Sequence, residues 1–401
     1  MLARQIKLKT RTIVLNSTLL ALALSGCRPH DFPQYQPNDR EYVYVTNGGS
    51  GTVTVLDVVN MRLDRELPVG PNPVAVAASP TRNEVYVVNS GAPTGQGSLS
   101  VINAENNSVA ASIPLQKQPV SIDIDPDGKL AYIANSGSNS ISVVDLANRR
   151  ETAQVGAGEE PVAVRLSPDG KTLAVANRKG NSLSLIDPVS LTVRSVFAGC
   201  PGASGVVMLP DSSKAIVNCS TGHQVMAVLL AKASKPASPQ SGGSQATPAT
   251  PDRIEALLDV GHNPLQLALK PDGGEVFVIN AQSNSISEII TGTDDVQGAY
   301  MMGDNPVTGL VSRDNALLYV ANLHSQNVIV YSIDDGRRAG AVHVGDGPSA
   351  LAFSAAGHLL FVVDSHSADV AVVRTASNSL FTLLPAGRSP NAIADKAFKL
   401  P

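Results

Sequence analysis

The 401-residue sequence contains no tryptophan, and its aromatic residues amount to only 4%. Charged residues are scarce as well, at 16%, and the formal net charge is −4. A protein that binds nucleic acid needs an excess of basic side chains to neutralise phosphates. The composition therefore argues against nucleic acid as a partner.

Recognisable catalytic and metal-binding motifs are also missing. The chain contains no GxSxG, no HExxH, no P-loop and no set of cysteines at the spacing of a metal site. Its carboxylates are scattered along the chain instead of clustering. The sequence therefore predicts no catalytic residue, no bound metal and no cofactor.

Only one long apolar run is present, and it lies at the N-terminus. Residues 13–24 are apolar, follow four basic residues, and are too few for a stable membrane span. The run ends in Leu24-Ser25-Gly26-Cys27, which resembles a bacterial lipobox, so residues 1–27 are interpreted as a lipoprotein signal peptide with lipidation at Cys27. The alternative is an ordinary secretory peptide with an incidental cysteine. Arg28 after the cysteine favours the outer membrane in a Gram-negative host.

A four-part pattern recurs along the rest of the chain and is clearest over residues 119–156. An alternating segment from Pro119 stops at Pro126-Asp127-Gly128, a sequence typical of a tight turn between antiparallel strands. Two further apolar strands and a weaker fourth strand follow. Four such strands form a small antiparallel sheet, which needs neighbouring sheets to cover both of its faces.

The second-strand phrase returns eight times, and a first-strand phrase follows a recurrent proline. A repeat of about 42 residues with four strands each indicates a β-propeller. The prediction is an all-β protein with a single propeller of eight four-stranded antiparallel blades, with seven as the alternative. The phrases are YVYVTN (42–47), EVYVVN (84–89), LAYIAN (130–135), TLAVAN (172–177), KAIVNC (214–219), EVFVIN (275–280), LLYVAN (317–322) and LLFVVD (359–364).

These phrases resemble the YVTN family of β-propeller repeats, whose name phrase stands here as Tyr44-Val45-Thr46-Asn47. The family is defined by its repeat and not by a reaction, and its propellers are often seven-bladed. The absence of tryptophan separates the chain from WD40 repeats, which contain a Trp-Asp pair, and from quinoprotein dehydrogenases.

The predicted propeller occupies residues 41–395, between a tether at 28–40 and a tail at 396–401. The N-terminal repeat has no first strand, and a first-strand phrase stands alone from Pro390. We expect these two ends to pair and close the ring, which removes two exposed sheet edges. Residues 233–251, rich in proline, serine and glycine, are predicted to be a disordered insertion in the fifth blade.

Cys200 and Cys219 are the other two cysteines. Cys200 precedes the first strand of the fifth blade and Cys219 ends the second, so antiparallel pairing places them side by side. An exported protein meets an oxidising compartment, where such a pair tends to form a disulfide. Two buried free thiols are the alternative.

One face of the predicted ring collects polar side chains. The loops before each first strand and the turns after each second strand meet there, and Lys117, Arg388 and His223 are on this face. The asparagines that end each second strand, from Asn47 through Asn218 to Asn322, are interpreted as turn devices that bond the following loop. The candidate ligand residues are His262, His324, His366, Asp304, Asp346 and Asp364.

The predicted function is that of a binding or scaffolding module rather than an enzyme, attached to a membrane through its lipid anchor. Its partner would be a protein of the cell envelope, and the propeller itself would be monomeric. An enzyme or cofactor-handling propeller, resembling lactonases or d1-haem proteins, is the alternative. A surface-layer structural protein is a further alternative.

Overall fold

The computed structural model describes residues 35–93, 95–231 and 250–400. They form thirty-two strands in eight four-stranded antiparallel sheets. Among these described ranges, no helix is long and apolar enough to cross a membrane.

The first half of the chain contains β1 (Asp39–Asn47), β2 (Thr52–Asp57), β3 (Arg62–Pro68), β4 (Pro73–Ala78), β5 (Glu84–Asn89), β6 (Gln96–Asn103), β7 (Ser108–Lys117), β8 (Pro119–Ile124), β9 (Leu130–Asn135), β10 (Ser140–Asp145), β11 (Arg150–Gly156), β12 (Pro161–Leu166), β13 (Leu173–Asn177), β14 (Ser182–Asp187), β15 (Thr192–Ala198) and β16 (Ala203–Met208). The second half contains β17 (Lys214–Cys219), β18 (Gln224–Leu229), β19 (Arg253–Asp259), β20 (Pro264–Leu269), β21 (Glu275–Asn280), β22 (Ser285–Ile290), β23 (Asp295–Met301), β24 (Pro306–Val311), β25 (Leu317–Asn322), β26 (Asn327–Ser332), β27 (Arg337–His343), β28 (Pro348–Phe353), β29 (Leu359–Asp364), β30 (Asp369–Arg374), β31 (Ser379–Pro385) and β32 (Pro390–Lys399).

The sheets are the eight blades of a β-propeller, as the repeat predicts. Blade 1 has the order β3-β2-β1-β32, and blades 2 to 8 each consist of four consecutive strands, from β4–β7 to β28–β31. The first strands of successive blades contact one another and form the inner ring. The alternative of seven blades is wrong.

Strand composition explains this layering. The second and third strands of each blade are almost wholly buried, because both of their faces pack against neighbouring blades. The core clusters therefore draw on adjacent blades: Tyr44 and Val53 of blade 1 pack with Val85 and Val87 of blade 2. Fourth strands, on the rim, expose alternate residues. The few aromatic residues that the chain has are concentrated in these otherwise aliphatic layers.

The ring closes between its two ends, which confirms the closure prediction. β32 pairs antiparallel with β1, and Tyr44 lies opposite Ala394. The closing sheet is longer than the sequence pattern indicated. The pairing runs from Asp39–Lys399 to Asn47–Pro390, so 39–40 are not tether and 396–399 are not tail. The physical reason is burial: Lys396 is 8% exposed and donates to the Ser79 carbonyl.

The predicted insertion at 233–251 lies mostly outside the described residues. The strands on either side of it, β18 and β19, are the third and fourth strands of blade 5. The signal peptide at 1–27 also lies outside the described residues.

Candidate ligand-binding face

The chain topology gives the propeller two different faces. The loops that lead into the first strands (lead-in loops) and the turns after the second strands lie on one face, which we call the histidine face. The turns between first and second strands and the connections between third and fourth strands lie on the other. Tyr35 and Leu400 are also there, so we call it the terminal face. Backbone hydrogen bonds join each turn to its lead-in loop, as from His366 N to Asp346 O at 3.0 Å.

The asparagine that ends the second strand supports this backbone in most blades. Asn177 is completely buried, donates to Ser182 Oγ at 3.2 Å and Ser184 Oγ at 2.9 Å, and accepts from Gly158 N at 3.0 Å. Because an amide offers both donors and an acceptor, it links the third strand to the preceding lead-in loop. The predicted bond to the following loop is therefore wrong. Asn47, Asn89, Asn280 and Asn322 make equivalent bonds to third-strand side chains.

Blade 5 departs from this arrangement. Cys219, not Asn218, lies opposite the residue that begins the first strand, Ala203. Asn218 is fully buried, and its side-chain amide has no hydrogen-bond partner among the described residues. Its interpretation as the repeat asparagine is therefore wrong.

Cys200 and Cys219 form a disulfide between the lead-in loop and the second strand of blade 5, with their Cα atoms 4.6 Å apart. Both cysteines are completely buried. The disulfide occupies the place where other blades use the asparagine amide. Cys27 lies outside the described residues.

Asp364 replaces the asparagine in blade 8, and the residue opposite it is Asp369. Asp364 is completely buried and accepts from Gly345 N at 3.0 Å. Burial, reinforced by the hydrogen bond and charge of Asp369, raises the pKa of Asp364 to about 8. A proton kept by this carboxyl pair would take the place of the missing amide hydrogen. Asp364 belongs to the support beneath the face and not to its accessible surface.

Two Asp–His pairs stand above this support on adjacent blades. His324 Nδ1 lies 4.0 Å from Asp304 Oδ2 in blade 7, and His366 Nδ1 lies 3.8 Å from Asp346 Oδ2 in blade 8. All four side chains are exposed, from 51% to 63%. Each pair joins a turn to the lead-in loop of the same blade, so both stand at the same repeat position. The structure therefore brings four of the six candidate residues together as two matched pairs.

His262 has a different neighbour. Its ring stacks on that of His223 with centroids 4.5 Å apart and planes 10° apart. His223 has a positive φ of 56°, and its Nδ1 accepts from Asn263 N at 3.2 Å. Asn139, Asn181 and Asn284 accept the corresponding backbone N–H between other blades with their Oδ1 atoms. His223 thus acts as a substitute for an asparagine between blades 5 and 6.

The close fit of blade 8 depends on one glycine. Gly347 has a φ of 73°, and a Cβ atom there would lie 2.6 Å from Cγ of His366. Any side chain at this position would displace the imidazole of His366. Lys117, the last residue of β7, and Arg388, in the lead-in loop of β32, have carbonyls that accept from Gly137 N and Gly49 N.

No group of three or more His, Cys, Asp or Glu side chains in the described part of the chain could hold a metal ion. An open cavity of about 740 Å³ lies on the terminal face between blades 4 and 5, away from the candidate residues. Arg194 in its wall forms a two-point ion pair with Asp252, at 2.7 and 2.9 Å. Its charge is therefore already neutralised.

Sequence reasoning missed two carboxyl pairs. Asp369 could have been found by aligning third strands, because other blades begin that strand with Ser, Thr, Gln or Asn. Asp395 lies beside Glu41 at the ring closure, where burial and then the charge of Glu41 raise the pKa of Asp395. No repeat comparison could have found this second pair, because Glu41 belongs to the N-terminal end and Asp395 to the C-terminal end.

Comparisons with known proteins bear on the fold. A family described as "Lactonase, 7-bladed beta-propeller" matches residues 44–157, under a third of the chain. No curated protein matches. Dihydro-heme d1 dehydrogenase NirN in complex with DHE has a TM-score of 0.69 at 14% identity, over 93% of this chain and 78% of that one. AztD from Citrobacter koseri has a TM-score of 0.66 at 12% identity, over 90% of this chain and 99% of that one. Kuenenia stuttgartiensis hydrazine synthase has a TM-score of 0.56 at 20% identity, over 77% of this chain and 97% of that one. At such identities the likeness shows a shared β-propeller fold and nothing further.

Proposed function

We propose that this chain is a lipid-anchored propeller of a bacterial cell envelope that binds an envelope partner through its histidine face. The lipobox-like Leu24-Ser25-Gly26-Cys27 supports the anchor, and Arg28 supports the outer membrane. The second-strand phrases support a place among YVTN repeat proteins. The propeller acts as a monomeric ring, and its partner is a protein of the same compartment.

The two matched Asp–His pairs are the observation on which this proposal depends. Blade 6 has Gln282 where blades 7 and 8 have histidine, and its lead-in loop has His262 in place of the aspartate. Imidazole can both donate and accept hydrogen bonds, which suits recognition of polar groups. The buried network beneath the pairs fixes their backbone, so they are presented on a rigid surface.

The test is co-purification from the native envelope after crosslinking, with the double variant His324→Ala/His366→Ala. We expect recovery of the partner to fall about tenfold, which corresponds to a loss of about 1.4 kcal/mol of binding free energy. Gln282→Ala, at the same repeat position in blade 6, is the matched control and should leave recovery unchanged. Equal recovery with all three proteins would show that binding does not use this face.

An enzyme or cofactor-handling propeller is the second candidate. The lactonase family match over the first three blades and the similarity to NirN favour it. Protein purified from its native host would then hydrolyse lactones or show the visible absorbance of a d1-type haem. Neither signal is expected if the binding role is correct.

A further inference from the structure

The described N-terminal residues are fixed to the terminal face. The Tyr35 hydroxyl donates to Glu41 Oε2 at 2.7 Å, and its ring packs against the core cluster shared by blades 1 and 8. Gln36 N donates to Asp39 Oδ2 at 2.7 Å. The chain is therefore attached to the propeller from Tyr35 onward, and the predicted tether is shorter than 28–40.

The C-terminal end strengthens this attachment. Leu400 N donates to Asn38 O at 2.9 Å, and Asn38 Nδ2 donates back to Leu400 O at 3.3 Å. From this point β1 rises through the blade and ends at Asn47 on the histidine face. The chain therefore enters the propeller at the terminal face, and an anchor that precedes Tyr35 holds the propeller by that face.

The segment between the predicted lipidation site and the first described residue is short. Seven residues, 28–34, separate Cys27 from Tyr35, and the eight links between these two Cα atoms reach at most about 28 Å. A path from Tyr35 to the histidine face must first reach the rim of the blade beyond β2 and β3. The distance from β1 to β3 is about 10 Å, at about 4.8 Å per strand. The path must then climb the height of β1, about 26 Å at about 3.3 Å per residue. The tether is too short for that path.

We propose that the terminal face of the propeller lies toward the lipid surface and that the histidine face points away from it. This inference rests on the lipid anchoring in the proposed function. It also defines the kind of partner: a water-soluble protein, or one that extends from beyond this membrane, and not a lipid headgroup of the anchoring leaflet.

The terminal face has no basic excess that would attract it to anionic lipid. Several of its basic side chains stand beside carboxylates, as in Lys129–Asp127 at 3.0 Å and Arg149–Glu84 at 3.2 Å. The orientation is therefore set by the length of the tether and does not depend on ionic strength.

The experiment uses the full-length lipidated protein in vesicles that contain an acceptor dye on the headgroups. Single labelled cysteines report the two faces: Ala147→Cys on the terminal face and Ala92→Cys on the histidine face. Both alanines are exposed, and they lie in neighbouring blades. We expect energy transfer to lipid to be severalfold stronger from Ala147→Cys, at both low and high salt.

A variant with about twenty extra Gly/Ser residues between positions 28 and 34 is the control for tether length, because its reach exceeds the path around the rim. The difference between the two labels should shrink in this variant. Flotation with the vesicles reports anchoring separately. A chain that does not float overturns the anchor and the orientation together. A chain that floats with equal transfer from both labels, or stronger transfer from Ala92→Cys, overturns the orientation alone.

Discussion

Asp364 is a carboxyl group in a place built for an amide. Its folded-state pKa, about 8, lies well above the ordinary 3.8, so the folded state retains a proton that the unfolded state loses. The contribution of this group to stability is complete at low pH and is lost as pH rises from about 4 to about 8, by at most about 1.4 kcal/mol per pH unit.

We predict that Asp364→Asn stabilises the protein at pH 8 and removes the part of the pH dependence that this group causes. The amide would donate to Asp369 and accept from Gly345 N, as in the asparagine blades. Urea unfolding at pH 5 and pH 8 measures both effects. Asp369→Asn is the reciprocal control, because its amide can donate to an ionised Asp364. The loss of stability from pH 5 to pH 8 should be smaller in both variants than in the parent protein, and an undiminished loss in both would contradict this account.

The disulfide in blade 5 gives a second prediction at the scale of residues. Cys200→Ser should lower the free energy of unfolding by about 3 kcal/mol in the loop-entropy model, since the closed loop is short and joins residues 19 apart. Under denaturing, non-reducing conditions, thiol titration should find one thiol from Cys219 in the variant, beyond any at Cys27. Two titratable thiols at 200 and 219 in the unreduced parent protein would rule out the bridge.

At the scale of elements, β32 determines whether blade 1 is complete. It pairs with β1 along its whole length, and its removal would expose β1 at the inner ring. We predict that a chain ending at Ser389 aggregates or loses several kcal/mol of stability, in line with the loss of buried apolar surface and of ladder hydrogen bonds. A chain ending at Lys399, which keeps β32, is the control. Equal melting temperatures would show that the ring does not need its closing strand.

The elements themselves were largely predictable from the sequence. Each second strand contains three to five consecutive apolar residues and ends at a turn residue, and repetition made the assignment secure. The ends of the closing sheet were not predictable, because Lys396 and Asp395 look like surface residues. Their burial depends on contacts with Ser79 and Glu41, far away in the sequence.

At the scale of the whole molecule, the repeat predicted a ring but not what the ring brings together. Repeat alignment shows that His324 and His366 share a position, and the structure adds that each faces an aspartate in its own blade. Repeat alignment could not show that His223 stacks on His262, because that contact joins two blades through a turn geometry special to one of them. Sequence therefore identified the face better than it identified the role of each residue.

The carboxyl groups whose pKa values are shifted by the fold together determine how stability responds to pH. Hydrogen bonds from Lys214 lower the pKa of Glu255. Burial alone would raise the pKa of Asp252, but hydrogen bonds from Arg194 and its neighbours outweigh burial and lower it. Groups of this kind stabilise the fold above about pH 4 and lose that effect as pH falls.

Asp364 and Asp395 act in the opposite direction, because burial raises the pKa of each. Stability should therefore rise up to about pH 4 to 5 and then decline toward pH 8, with its maximum on the acid side of neutrality. Unfolding free energies measured at unit intervals from pH 3 to pH 9 test this. In Asp364→Asn/Asp395→Asn the decline should become shallower and the maximum should move toward neutral pH, and burial of Asp123, Glu288 and Asp294, which also raises their pKa values, should account for what remains of the decline. A parent protein that is most stable at pH 7 to 8 would mean that these two carboxyl groups are ionised in the folded state.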